Sequence, residues 1–271
     1  MTTTTTHANP TTAEVLAAFR QDSAAFDRLL HGLTDAQWAL ATPAPGWDVR
    51  AQVAHLAFVY DLAALSCTDP ERFGAAMARV PAGGFGAAVE QGMQRFSAGH
   101  PADVLDRWVD ARDRVASALA AATGPTVPWL VNPLPPAVLT AAGMLELFAH
   151  GQDVADAVGH DVDRTDTVAH IVGFVARTTA FGFESHGLGA PAHPFRFRVT
   201  LPSGRLFETG PADAGDVVEG PAVDVCLLAS RRRHHLDLDV QVRGADAERW
   251  LTVAQAYRGP AGEGRRPGQF A

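Results

Sequence analysis

The sequence predicts a mainly α protein, a four-helix bundle followed by a small α+β domain. Three observations carry this. From about Thr11 to Ser185, apolar residues recur at helical spacing. After the Gly/Pro-rich stretch HGLGAPAHP (186–194) the period drops to two, with Phe195, Phe197 and Val199 alternating with Arg196, Arg198 and Thr200. The 271 residues, 47% of them hydrophobic, suffice for one large core or two modest ones. The expected organisation is a disordered tail over 1–10, a helical bundle over 11–185, a linker over 186–194, a small domain over 195–258 and a flexible tail over 259–271.

The first helix is expected from about Thr12 to His31, with Val15, Leu16, Phe19, Phe26, Leu29 and Leu30 turned inward. ATPAPGW (41–47) is a turn, and Asp48 caps a second helix reaching about Ser66. Helical segments follow near 86–98 and 102–122, the latter with Val104, Leu105, Trp108, Val115 and Leu119 on one face. VPWLVNPLPP (127–136) is a loop. A further long helix runs from about Ala137 to Val158 and stops at Gly159, and another covers about Asp163 to Glu184. Beyond the linker, LPSG turns into a second strand, RLFET, and Val217 and Val218 open a third. Pro221 suits the first position of a helix to Ser230. LDLDVQV (236–242) reads as the cleanest strand, and a final helix spans about Ala245 to Tyr257.

A net charge of −8 argues against a nucleic-acid partner. Every basic residue is arginine, and the one basic run is Arg231–Arg233. The N-terminus lacks the basic and apolar regions of a secretory signal, and the longest apolar stretch, Val53 to Leu65, is interrupted by His55 and Asp61. Two distant cysteines, Cys67 and Cys226, read as reduced thiols, so a cytoplasmic protein without membrane association is expected. Nucleophile-elbow, Walker, dinucleotide-binding and Cys-x-x-Cys motifs are absent from the sequence.

The chemistry concentrates in two stretches, GWDVRAQVAHLAFVYDL (46–62) and MLELFAHGQDVADAVG (144–159). Glu146 and His150 stand one helical turn apart and point the same way. His55 lies in a helix that is apolar nearly all round. Joined by His55, the pair makes a His/Glu/His set with coordination positions left open, as a catalytic zinc site requires. Each residue also has a plainer reading. Glu146, His150 and Asp153 lie opposite the apolar stripe and could be a solvated face, although Ala142, Gly143, Ala149 and Ala157 beside them suit a lined cavity. His55 could be a core histidine bonded to a carbonyl.

The stretches GWDVRAQVAHL and LELFAHGQDVADAVG resemble the amino-terminal domain of the mycothiol-dependent maleylpyruvate isomerase family, part of the DinB-like metalloenzymes. GPAVDVCLLASRRR and LDLDVQVRGADAERWL are similar to the small α+β domain attached in that family, a sterol-carrier-like unit. The resemblance implies a DinB-like four-helix bundle holding zinc, or another divalent metal, on His55, Glu146 and His150. It implies mycothiol as co-substrate and a small-molecule electrophile as its target, in an isomerase or thiol S-transferase. Arg232 would pair with a substrate carboxylate, with the register among the three arginines open by one. Asp153 would orient a ligand or the thiol's amide. Two other classes stand beside this: a non-catalytic carrier of a small apolar ligand, and a zinc hydrolase that needs no thiol.

Overall fold

A computed structural model describes residues 10–81 and 84–270. The tail expected over 1–10 falls, but for Pro10, outside the described residues. The chain divides into two units, one spanning Thr11–Val162 and the other running from Asp163 onward. The division thus falls before the last expected bundle helix, whereas the sequence pattern placed it after residue 185.

In the first unit four long helices form the bundle: α1 (Thr12–His31), α3 (Val49–Thr68), α6 (Pro101–Ala121) and α7 (Pro136–Val158). Three short helices join them: α2 (Asp35–Trp38), α4 (Pro70–Met77) and α5 (Phe85–Ser97). Local chemistry sets the ends. Thr11 and Glu14 close a capping box on α1, and Asp48 accepts from the Ala51 amide at 2.7 Å to start α3. Gly159, at φ +67°, stops α7 in the left-handed conformation. α2 and α4 were not expected from the apolar spacing; Asp69 caps α4 by accepting from the Arg72 amide.

α3 lies at the centre and packs on α5, α6 and α7, which is why its sequence is apolar nearly all round. Trp108 is wholly buried between Phe26 and Tyr60, and its indole N–H donates to Asp27 at 2.6 Å. Burying a side chain of that area contributes about 4–6 kcal/mol before the entropy of ordering it is subtracted. On α7, Gly143 and Gly151 face the rings of Tyr60 and Phe26; a Cβ at either would meet the ring at 3.5 Å, an ordinary van der Waals contact. Of the small residues expected beside a cavity, Gly143 instead meets Tyr60, whose hydroxyl donates to the Gly143 carbonyl at 2.9 Å.

The second unit carries α8 (Val168–Arg177), α9 (Ala180–Ser185), β1 (Arg196–Thr200), β2 (Leu206–Thr209), β3 (Val217–Pro221), α10 (Ala222–Ala229), β4 (Gln241–Arg243) and α11 (Ala245–Val253). The four-stranded sheet has the order β2-β1-β3-β4, with β1 and β3 parallel and both edge pairings antiparallel. Phe197 and Val199 are buried on one face, where Trp250 meets Phe195 and Phe197 edge-on. Arg196 and Arg198, on the other face, pair with Glu208.

Three expectations change here. The helix expected over 163–184 starts only at Val168 and is interrupted at Thr178 and Thr179, which separate α8 from α9. LDLDVQV is a strand only from Gln241: His235–Asp237 forms a 3-10 turn, Leu236 is 70% exposed, and the Asp224 carboxylate accepts the Asp239 amide at 2.8 Å. The closing segment is held rather than loose, with the Gly268 amide on Asp237 and the Arg233 guanidinium over the Phe270 ring.

Candidate metal centre

α3 supplies His55 and α7 supplies Glu146 and His150. The His55 Nε2 lies 3.4 Å and the His150 Nε2 3.3 Å from the same Glu146 oxygen, Oε2. One ligand atom from each residue falls within 4.8 Å of the others, so the three can hold a metal ion. A tetrahedral ion with bonds of about 2.0–2.1 Å needs its ligand atoms roughly 3.3–3.4 Å apart, which matches the two spacings made by Glu146.

The hydrogen bonds around His150 sharpen the fit. Its Nδ1 lies 2.5 Å from the Gln52 Oε1, and Gln52 is wholly buried. The other end of that amide, Nε2, donates to the Thr42 hydroxyl at 2.8 Å and faces the Asp153 carboxylate at 3.5 Å. Thr42 gives its own proton to the Trp47 carbonyl, so its oxygen is an acceptor toward Gln52. The amide orientation follows from these partners. His150 therefore donates from Nδ1, and its Nε2 lone pair is turned toward a carboxylate oxygen. Two acceptors at that distance call for a positive charge between them, a metal ion or a proton. Burial works to raise the Glu146 carboxyl, but when His150 and His55 are protonated their hydrogen bonds and charge hold it well below the ordinary carboxylate range. The donor set thus fits a divalent cation.

The half-buried Trp47 walls the cluster on one side, stacked on His150 with ring centroids 5.7 Å apart and edge-on to His55 at 5.3 Å. The His55 Nδ1 is buried with no hydrogen-bond partner. The side chains of Glu146, His150 and His55 are 29%, 14% and 13% exposed, so neither the fully solvated face nor the closed core describes them. Asp153 is wholly buried and faces Gln52.

Arg232 lies just past the end of α10, half-buried, with Nη1 donating to the Ser230 carbonyl. The Cys67 thiol is pushed up by burial, so its surroundings do not favour a thiolate nucleophile. Thr42, Trp47 and Gln52 escaped the sequence reading. The one available signal was Gln52, a polar amide three residues before His55 in an otherwise apolar helix.

Fold and cluster define a helical-bundle protein with a metal-capable His/Glu/His set and a small α+β unit. Residues 19–155 match the family model described as the mycothiol maleylpyruvate isomerase N-terminal domain, and the chain belongs to that family. The uncharacterized protein Rv0036c of Mycobacterium tuberculosis strain H37Rv is 37% identical over 251 residues, covering 92% of this chain and 97% of that protein. The uncharacterized protein MT0041 of strain CDC 1551 / Oshkosh matches to the same extent. Crystal structures of the mycothiol-dependent maleylpyruvate isomerase and of a histidine-to-alanine mutant share the fold, with TM-scores of 0.56 and 0.57. Both are 16% identical to this chain and cover 86% of it and 93% of the solved chain.

Proposed function

We propose that this protein is a zinc-dependent enzyme that adds a low-molecular-weight thiol, mycothiol, to an electrophilic small molecule, as an isomerase or an S-transferase. The observation that carries the proposal is the pair of imidazole nitrogens converging on one Glu146 oxygen at 3.3 and 3.4 Å. His55, Glu146 and His150 would hold the cation. A bound divalent cation would supply thiol activation, because a coordinated thiol is deprotonated outright near neutral pH. Around it, Trp47 restricts water on one side and lends an apolar wall. Asp153, wholly buried, takes the orienting part of its expected role and acts through Gln52. In an isomerase the sulfur adds to a double bond and leaves after rotation about it; in a transferase it stays.

The role given to Arg232 rests on the family resemblance: its guanidinium would pair with a substrate carboxylate. Cytoplasmic action is part of the same proposal. Both cysteines are free, and among the described residues no helix is long and apolar enough to cross a membrane. The test is formation of isomerised product or of a thiol adduct by the zinc-loaded protein, with and without mycothiol, across a panel of electrophiles that includes unsaturated diacids. Thiol-dependent turnover, lost in Arg232→Ala at low substrate concentration, is expected. Turnover without thiol would establish a hydrolase instead, and metal binding with no turnover across the panel would favour a carrier of a small ligand.

A further inference from the structure

We infer that Gln52 is a positioning residue for the His150 ligand: its buried amide fixes which imidazole nitrogen faces the cluster. This role deepens the metal-centre proposal and rests on it. Gln52 is 0% exposed on α3, next to the fully buried Val53, Ala54 and Leu56, so an uncommitted amide there would be costly. Each polar end is committed. Oε1 accepts from the His150 Nδ1 at 2.5 Å, while Nε2 serves the Thr42 hydroxyl at 2.8 Å and the Asp153 carboxylate at 3.5 Å.

Three consequences follow from the chemistry. The His150 proton is held on Nδ1, which keeps the Nε2 lone pair aimed at the space beside Glu146. The ring cannot swing without breaking a buried hydrogen bond. A neutral amide stands directly behind the imidazole, and the carboxylate of Asp153 stands one bond further away. A directly bonded carboxylate is the commoner arrangement behind a metal-ligating histidine, and losing such a partner lowers metal affinity about 10–100-fold. His55 has no counterpart, since its Nδ1 lacks a partner. The two imidazoles are therefore held unequally, and His150 is the anchored one.

The test uses the full-length protein with Zn²⁺ alone as the probe. Nitrogen-15 spectra of the metal-free wild type, taken above the pH at which the imidazoles are protonated, should show His150 as the Nδ1–H tautomer. Gln52→Leu keeps the side-chain bulk and removes the acceptor. It should give a mixed tautomer and weaken zinc binding roughly 10–100-fold in a chelator competition. The double variant Gln52→Glu with Asp153→Asn exchanges carboxylate and amide at constant charge, and it should restore both the tautomer and the affinity. A wild-type His150 carrying its proton on Nε2 overturns the inference and needs no variant. So does a Gln52→Leu protein that binds zinc as tightly as the wild type. A wild type that binds no zinc overturns the metal-centre proposal instead, while the metal-free spectra still decide what Gln52 does to the ring.

Discussion

Removing either histidine of the cluster should take away most of the stabilisation that metal gives to the fold. An ion that binds only the folded state adds about 2.7 kcal/mol when its free concentration is a hundred times Kd. In a domain of roughly 150–250 residues, each kcal/mol moves Tm by about 2–4 °C, so the wild type should gain about 5–11 °C. His55 and His150 each supply one of the three converging ligand atoms. Losing a partner behind a ligand costs up to about 100-fold in affinity, so losing a ligand costs at least that much. At the same free zinc, His55→Ala and His150→Ala are then at best half-saturated. They retain about 0.4 kcal/mol, a gain of about 1 °C. Scanning calorimetry of each protein with and without zinc reads this directly. The difference between the two scans removes any cavity effect of the substitution itself. Metal-induced gains in both variants equal to that of the wild type would refute the ligand assignment.

Zinc binding displaces the protons that otherwise sit between Glu146 and the imidazoles, so affinity should climb with pH, with about one to two protons released per ion; calorimetric titration in two buffers of different protonation enthalpy counts them. In the metal-free protein the depressed Glu146 carboxyl contributes stability that is present above about pH 4.3, for as long as the imidazoles beside it hold their protons, and is lost as pH falls through its folded value. Glu146→Gln should therefore unfold with a shallower acid limb, and an unchanged limb would contradict the coupling. Trp47 touches both imidazoles, so its fluorescence should respond to zinc; Trp47→Phe should lose the response while keeping one ion per chain. In the second unit, a Cβ on Gly182 would lie 2.2 Å from the Val253 carbonyl oxygen. Gly182→Ala should cost about 1–3 kcal/mol in denaturant unfolding, and a neutral result would mean that α11 yields easily.

The bundle was legible because its signals are local. Thr11 with Glu14, Asp48 and Gly159 mark helix ends within a few residues of themselves. The cluster was legible in part for the same reason, since Glu146 and His150 are a turn apart and His55 interrupts an apolar run. What surrounds the cluster was not. Thr42, Trp47 and Gln52 reach His150 only through tertiary packing, and no spacing rule connects residue 42 with residue 150. Asp153 looked solvent-facing by helical angle, yet it is wholly buried, because the periodicity of one helix does not reveal a polar network on its neighbour. In the second unit, alternation alone overcalled Leu236–Val240 as strand. The competing bond from Asp224 to the Asp239 amide joins segments 15 residues apart. Likewise the apolar pattern continues past Thr178, although the backbone leaves the helix there at φ −118° and ψ 15°.

The segment that brings Trp47 to the histidines is held by bonds within itself. Pro43 and Pro45 restrict its backbone, Gly46 takes a φ of +79°, and the Thr42 amide and hydroxyl both close on the Trp47 carbonyl at 2.8 Å. A receptacle shaped in advance captures its ion in one kinetic phase. The observed capture rate should then rise in proportion to ion concentration, limited by how fast the ion sheds water, and it should show no plateau from a slow rearrangement of the chain.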